Sequence, residues 1–343
     1  MEDAATSFDY VVVGAGAAGS VLAHRLTEDP ETRVLVLEAG GPDDDPRVRR
    51  PSASRALLQP PLTETYPTAP APGLGDREVP GPRGRGWGGS GTISAMVYVR
   101  GHASDFDRWE ELGNPGWGYA DVLPYFKKAE NQERGPSEYH GVGGPQNVAD
   151  PRWVSPISEA FVEAATQAGL PRNGDFNGAR QEGAGFYQLN QKDGERHSAA
   201  DAYLRPALER ANLTVESQAR VSRVLFEGRR AVGVEYVQAG ETHEVRAGRE
   251  VVLSAGTIGS AQLLLLSGVG PAEALRALGI PVVQDVPGVG ENLRDHPRVA
   301  VTYASRKPLG LSDAERERAE REYDETLTGP LSSNGIGAGA FVR

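Results

Sequence analysis

The sequence predicts an α/β fold built on a parallel sheet, and three observations near its amino terminus support this prediction. Residues Phe8–Val13 form a short apolar run that is typical of a buried strand. Glycines follow at once, and Val21, Leu22 and Leu26 then suit a helix. Residues 33–37 form a second apolar run, so strand, glycine turn, helix and strand succeed one another within about thirty residues. This succession indicates a βαβ unit, whose two strands lie parallel.

The remaining helices are predicted from helical spacing of apolar residues or from mixed charge on an exposed face. They cover residues 105–112, 119–130, 157–168, 257–266 and 313–324. Residues 199–210 predict two short helices that are broken at Pro206, because a proline disfavours the helical conformation of the residue before it.

Loops and strands are predicted from prolines, glycines and β-branched residues. Residues 40–82 hold ten prolines, which predict an extended loop, because proline lacks an N–H and fixes φ. A loop of this length is expected to cover a ligand. Valines and tyrosine recur over residues 213–253 and predict a run of short strands, with turns at Gly228, Gly240 and Gly248.

The composition excludes several classes of protein. The 343 residues include 36 basic and 47 acidic side chains, and this net charge of −11 argues against nucleic acid or an anionic membrane surface as a partner. The chain has no cysteine, which rules out disulfides and cysteine-ligated metal or iron–sulfur sites, and we predict no metal site. The sequence contains no run of 18 apolar residues, so we predict no membrane-spanning helix. Its acidic first residues do not resemble a signal peptide. We therefore expect a cytoplasmic protein.

The first glycine-rich loop has the G-x-G-x-x-G pattern of a dinucleotide site. Gly14 permits the tight turn, Gly16 lets the backbone approach a pyrophosphate, and Gly19 lets the helix pack on the strand. Free N–H groups at the helix start favour the anion. Glu38 ends the second strand, where a carboxylate can accept hydrogen bonds from a ribose hydroxyl. The pattern does not separate NAD from FAD, because both contain an ADP moiety.

Two further glycine-rich segments favour FAD. Residues 84–101 read GRGWGGSGTISAMVYVRG, and residues 256–270 read GTIGSAQLLLLSGVG. With the first loop, they resemble the two signature motifs of the glucose–methanol–choline family of FAD oxidoreductases, and most of all its choline- and alcohol-dehydrogenase-like members. Residues 198–206 and 288–297 also match, so the resemblance extends from about Phe8 to Arg343. Glycines such as Gly88 and Gly89 allow the close backbone approach that a bulky flavin needs.

The resemblance implies a Rossmann-like, doubly wound FAD-binding domain that is discontinuous in sequence, formed by residues 8–154 and 205–308. Residues 155–204 and 309–343 are then the start of an incomplete α+β substrate domain. The implied cofactor contacts are Gly14, Ala15, Gly16, Ala17, Ala18, Gly19, Glu38, Ala39, Arg85, Gly88, Gly89, Ser90, Ser94, Ala95, Met96, Val97, Val221, Ala255 and Gly256. At Val221 two interpretations stay open, a backbone contact to the adenine and a valine of a core strand.

The sequence departs from the family pattern at positions that bear on cofactor chemistry. Ile93 stands where some relatives carry a histidine that tethers FAD, so we expect noncovalent FAD. Ser94 replaces a usual Asn or His, a change that bears on flavin affinity and redox tuning. The family's catalytic histidine lies in a carboxyl-terminal region that has no counterpart before Arg343, and none of the six histidines matches that motif. The catalytic residue therefore remains unassigned.

Three functions remain possible on these observations. The first is an FAD-dependent alcohol or choline-type dehydrogenase that oxidises a small-molecule alcohol and passes the electrons to an unidentified acceptor. Its missing part would come from a second polypeptide or from a longer natural gene product. The second is a truncated or degenerate flavin-binding module without turnover. The third, an NAD-dependent dehydrogenase, rests on the first glycine motif alone.

Overall fold

The computed structural model describes residues 8–342. Its strands are β1 (Phe8–Val13), β2 (Val34–Leu37), β3 (Thr63–Pro67), β4 (Pro80–Gly84), β5 (Glu130–Gln132), β6 (Gln146–Val148), β7 (Gly183–Phe186), β8 (Gln191–Lys192), β9 (Glu195–Arg196), β10 (Leu213–Glu216), β11 (Arg220–Glu227), β12 (Arg230–Gln238), β13 (Glu241–Leu253), β14 (Val269–Gly270), β15 (Gln284–Asp285) and β16 (Ala338–Phe341).

The helices lie between these strands. They are α1 (Ala17–Leu26), α2 (Pro46–Arg49), α3 (Ser90–Ile93), α4 (Ala103–Glu111), α5 (Tyr119–Ala129), α6 (Pro156–Gln167), α7 (Arg205–Ala207), α8 (Gly256–Leu266), α9 (Ala272–Ala277) and α10 (Asp313–Thr326). Short 3₁₀ turns occur at Pro51–Ala53, Pro72–Leu74 and Pro330–Ser332, and a π-helical turn occurs at Ala200–Leu204. Within residues 8–342, no helix is both long and apolar enough to cross a membrane.

The described residues form two compact units. The first unit contains residues 8–43, Leu58–Thr92 and Ala199–Tyr303. The second unit contains Asp44–Leu57, Ile93–Ser198 and residues 304–342. These units partition the chain differently from the predicted domains, whose bounds stay a prediction.

A six-stranded sheet in the order β10-β2-β1-β13-β12-β11 is the centre of the first unit. The first four strands are parallel, with Val11 of β1 opposite Leu35 on one side and Val251 on the other, whereas β13, β12 and β11 form an antiparallel meander. Alternate residues of β1 and β2 enter two apolar clusters on opposite faces, so the strands are apolar throughout rather than alternating. The α/β prediction and the parallel βαβ unit are confirmed.

The predicted turn at Gly248 is wrong, because Gly248 lies inside the long strand β13. Residues up to Arg246 of β13 pair with β12, and residues from Ala247 onwards pair with β1. The register with β1 shifts between Phe8 and Tyr10, just where Gly248 lies. A glycine in a strand often marks such an irregularity, and here the strand changes its partner without a turn. The turns at Gly228 and Gly240 are confirmed.

Two predictions about proline are also corrected. Residues 40–82 are not a plain loop, since they contain α2 and the antiparallel pair formed by β3 with β4. Pro67 and Pro80, which have no N–H to donate, face each other in the last pair of the ladder, and the next backbone bond runs from Thr68 N to Val79 O at 3.0 Å. The two predicted short helical segments are present as the π-helical turn Ala200–Leu204 and α7, but they meet between Leu204 and Arg205, and Pro206 lies in the first turn of α7, where a proline is tolerated because it has no N–H to donate.

The second unit is made of helices and short strand pairs. Its strand β7 pairs antiparallel with β16, so that Ala184 lies opposite Ala340. The ring of Phe341 packs edge-on against Phe176, with 5.1 Å between the ring centroids. Helices α4 and α5 meet through an aromatic cluster in which Phe106 contacts Phe126 at 5.5 Å.

Candidate cofactor site

The glycine loop between β1 and α1 is closely packed at its first and third glycines. Gly14 has φ +98°, and a Cβ built on it would lie 2.7 Å from the carbonyl oxygen of Ser254. A Cβ on Gly19 would overlap the carbonyl oxygen of Gly14 and lie 2.8 Å from Ser254 Oγ. Internal packing of the first unit therefore explains both glycines.

Gly16 differs from its two neighbours in the motif. Its φ of −68° and ψ of −167° are open to any residue, and the nearest atoms to an added Cβ lie 3.9 Å away. The protein itself gives no reason for a glycine there, so a close approach by a bound group explains it best. Gly16 is the N-cap of α1, a ten-residue helix with no side-chain cap and no acid in its first turn.

The start of α1 can therefore bind an anion. Ala17 and Ala18 are exposed in its first turn, and their N–H groups and the helix dipole favour negative charge in front of them. The open position at Gly16 leaves room for that charge close to the backbone. The residues present thus fit the pyrophosphate of a dinucleotide.

Glu38 joins three segments of the first unit through backbone amides. Its Oε2 accepts from Ala15 N at 2.8 Å, and its Oε1 accepts from Gly40 N at 2.7 Å and Gly86 N at 3.0 Å. The side chain is buried, and this burial raises the pKa of the Glu38 carboxyl although the three amides oppose the shift. The predicted hydrogen bond to a ribose hydroxyl stays a prediction, whereas the binding of the two glycine-rich loops to one carboxylate is an unpredicted finding.

Residues 84–92 of the second glycine-rich segment pack against the first glycine loop within the first unit. Gly88 N donates to Ala15 O at 2.8 Å, and a Cβ on Gly89 would lie 2.9 Å from the Cα of Gly16. The guanidinium of Arg85 donates to Ala39 O at 2.9 Å from Nη2. Predicted contacts from both segments therefore lie together around Gly16.

The end of β13 adjoins the same loop. Ser254 Oγ donates to the carbonyl oxygens of Val13 and Gly14, each at 2.9 Å. Ala255 is the N-cap of α8 and lies close to Gly14, since a Cβ on Gly14 would be 3.0 Å from the Cα of Ala255, and Gly256 is the first residue of α8. Val221 lies on β11, and its side chain is buried in the apolar cluster of the sheet. That burial explains the valine side chain, and the proposed backbone contact to an adenine stays a prediction.

The predicted contacts Ser94–Val97 lie in the second unit, where Met96 adopts the left-handed conformation at φ +60°. The backbone carbonyl oxygens of Ser94, Ala95 and Met96 each accept a hydrogen bond. Arg196 Nη1 donates to Ser94 O at 2.8 Å, Asn334 Nδ2 to Ala95 O at 2.5 Å, and Asn190 N to Met96 O at 2.7 Å. Positive φ in a buried methionine is uncommon and is typical of functional segments.

The histidines of the second unit have structural partners. His102 caps α4 and accepts from Ser104 N at 3.2 Å. His140 is buried with Nδ1 3.0 Å from Glu130 Oε1 and Nε2 2.9 Å from Asp175 Oδ2. The hydrogen bonds that His140 donates to the carboxylates of Asp175 and Glu130 raise the pKa of His140 to about 9, so its imidazole is a cation at neutral pH.

Glu130 is fully buried between two cations, since Arg100 Nη2 donates to its Oε2 at 3.0 Å and His140 Nδ1 lies 3.0 and 3.1 Å from its two carboxylate oxygens. This ion network was not predicted from the sequence. Its residues come from four separate segments, and the only available signal was the motif context of His140. Among residues 8–342, no group of three or more His, Asp or Glu is arranged to hold a metal ion.

Comparison with known proteins now extends these observations. The model of the GMC oxidoreductase family matches residues 8–298. The chain is 47% identical over 348 aligned positions to the mitochondrial choline dehydrogenase of Homo sapiens, covering 98% of this chain and 59% of that protein. It is also 47% identical over 348 positions to the oxygen-dependent choline dehydrogenase of Pseudomonas putida, covering 98% of this chain and 62% of that protein.

A solved structure gives the same result for the fold. An FAD-dependent oxidoreductase from Chaetomium thermophilum superposes with a TM-score of 0.86 at 32% identity, over 96% of this chain and 61% of that one. The predicted Rossmann-like class is therefore confirmed. The chain spans about three fifths of the length of these relatives. The family match extends over the glycine loops, the sheet and the start of α8, and the chain belongs to the GMC oxidoreductase family.

Proposed function

We propose that this chain binds FAD noncovalently and forms the cofactor-holding part of an enzyme that oxidises the CH–OH group of an alcohol. The observation that supports it most directly is Gly16, whose missing side chain neither packing nor backbone conformation requires. Family membership and the FAD-dependent structural neighbour favour FAD over NAD. The two choline dehydrogenase relatives make choline the first substrate to test.

The chain's own residues would bind and orient the cofactor. The N–H groups at the start of α1 would hold the pyrophosphate, and Glu38 would stabilise the two loops around it and accept from the ribose. When bound, FAD supplies a hydride acceptor for the carbon that carries the hydroxyl group. Ile93 is buried and has no nucleophilic atom, which supports noncovalent binding.

A second candidate function is flavin binding without turnover. Alcohol oxidation needs a base for the hydroxyl proton, and a histidine with a pKa near 7 suits that role. His102 caps a helix, and His140 is held between two carboxylates with a pKa near 9. Under the first function, the base comes from a second polypeptide or from residues joined to this chain in a longer gene product.

Reconstitution with FAD tests the binding. The purified chain should develop a flavin spectrum when titrated with FAD, and acid precipitation should release the yellow colour into the supernatant. A yellow pellet would contradict noncovalent binding. A protein that takes up no FAD would contradict both candidate functions.

An activity assay then separates the two functions. Choline and an artificial electron acceptor are added to the FAD-loaded chain, alone and together with the carboxyl-terminal two fifths of a choline dehydrogenase relative. Dye reduction in either mixture supports alcohol oxidation. A stable flavin spectrum without dye reduction in both mixtures supports the module without turnover.

A further inference from the structure

We infer that Arg196 is a positioning residue for the cofactor, because it holds the Ser94–Val97 segment in its strained conformation. This inference rests on the proposed function and on the family resemblance, which implies that Ser94–Val97 contact the cofactor. The side chain of Arg196 is among the largest fully buried ones, and only 2% of the residue is exposed.

The guanidinium of Arg196 joins three parts of the second unit. Nε donates to Val48 O in α2 at 2.9 Å, and Nη2 donates to Ser54 Oγ at 3.2 Å. Nη1 donates to Ser94 O at 2.8 Å. The planar fork of donors fixes one orientation for these acceptors, which a lysine with its single ammonium cannot reproduce. Arg196 therefore ties the segment to α2 and the turn that follows it.

The segment needs such support because its backbone is strained. Met96 is buried at φ +60°, a conformation that is strained for a residue other than glycine. Ser94 Oγ accepts from Met96 N at 3.2 Å and closes the bend from within. Arg196 secures Ser94, the residue on which that closure depends. Loss of its hydrogen bonds would let Ser94–Met96 relax to ordinary backbone angles.

Arg196 also brings a positive charge within one hydrogen bond of the segment. A charge near a flavin is one of the ways in which a protein sets the reduction potential of its cofactor. Burial strengthens this effect, because a low dielectric weakens screening. A residue that served packing alone would leave the potential unchanged when its charge was removed and its shape was kept.

The first test does not require FAD. Hydrogen–deuterium exchange of a peptide that spans residues 94–97 is measured in the cofactor-free chain for wild type, Arg196→Lys and Ser54→Ala. We expect exchange to rise about tenfold in Arg196→Lys and less in Ser54→Ala, which removes one acceptor and leaves the arginine. The matched control is Arg108→Met, because the side chain of Arg108 is 69% exposed on α4 and its loss should change nothing.

The second test uses the FAD-loaded chain. Arg196→Lys should weaken FAD binding about tenfold with little change in midpoint potential, because the charge remains. Arg196→Met should weaken binding similarly and also lower the potential. If Arg196→Met does not fold, Arg196→Lys and Ser54→Ala decide the outcome through exchange.

The outcomes separate the inference from the function on which it rests. If wild type binds no FAD, the proposed function is wrong. The exchange data then show only whether Arg196 stabilises the conformation of Ser94–Val97. If wild type binds FAD but residues 94–97 exchange equally in wild type and Arg196→Lys, the inference is wrong. Equal potentials in wild type and Arg196→Met would reject the role of the charge.

Discussion

At the scale of single residues, the three glycines of the first loop have different reasons to be glycine. Gly14 and Gly19 face backbone atoms of the first unit, whereas a Cβ on Gly16 would meet no atom closer than 3.9 Å. Packing therefore explains two glycines of the motif, and we propose that a bound ligand explains the third. This distinction can be tested directly, because alanine adds only the Cβ atom.

Gly16→Ala should leave the protein as stable as wild type and weaken FAD binding by about tenfold or more, because the new methyl group occupies the space in front of the helix N-terminus. The measurement is FAD titration followed by urea unfolding of the same samples. Gly19→Ala is the matched control, since its Cβ overlaps Gly14 O and should destabilise the fold. A stable Gly19→Ala, or a destabilised Gly16→Ala, would contradict this assignment.

Glu38→Gln should lower the free energy of unfolding by about 1–3 kcal/mol. A glutamine keeps one acceptor oxygen, but its NH₂ group would face an amide N–H where Glu38 now accepts from Ala15, Gly40 or Gly86. Urea unfolding of the cofactor-free chain measures the change. Glu31→Gln, at an exposed position, should be neutral. Equal stability of the two variants would show that Glu38 does not hold the loops.

At the scale of elements, the start of one short strand places a charged residue in the interior of the second unit. In the second unit, β5 begins with Glu130, and the fully buried carboxylate of this residue receives His140 and Arg100. The other nitrogen of His140 faces Asp175, which is partly exposed. Because both ring nitrogens face carboxylates, the folded state favours the protonated imidazole.

The free energy of unfolding should fall as the pH rises from about 6.5 to about 9, by at most about 3 kcal/mol from His140. The pKa of His140 in the fold lies above its ordinary value, so its contribution is complete below pH 6.5 and is lost through pH 9. Urea unfolding across this range measures the slope. His140→Gln should flatten it, whereas His296→Gln, at an exposed position, should not. An unchanged slope in His140→Gln would contradict the proposed cation.

At the scale of the whole molecule, the chain corresponds to about three fifths of its choline dehydrogenase relatives. Most of the predicted cofactor contacts belong to the first unit, and four of them, Ser94–Val97, belong to the second. If the proposed function is right, binding of the cofactor should stabilise the folded chain.

FAD should raise the thermal unfolding midpoint of the chain with increasing concentration. A ligand that binds only the folded state adds about 2.7 kcal/mol at one hundred times its dissociation constant. NAD at equal concentration serves as the control and should leave the midpoint unchanged. A shift with NAD and none with FAD would restore the NAD-dependent alternative.

The sequence alone determined the α/β class, the βαβ start and the positions of the glycine motifs, because these depend on local period, turn residues and short spacing. The sequence could not predict that Glu38 accepts hydrogen bonds from three backbone amides, that His140 pairs with Glu130, or that Arg196 is buried beside Ser94. Each of these contacts joins residues from separate segments, which only the folded chain brings together. Gly248 illustrates the same limit, since a glycine marks a turn or an irregular strand alike until its partner strands are known. Tertiary structure decided these points because hydrogen bonds and burial depend on distance in space, whereas sequence patterns report neighbours along the chain.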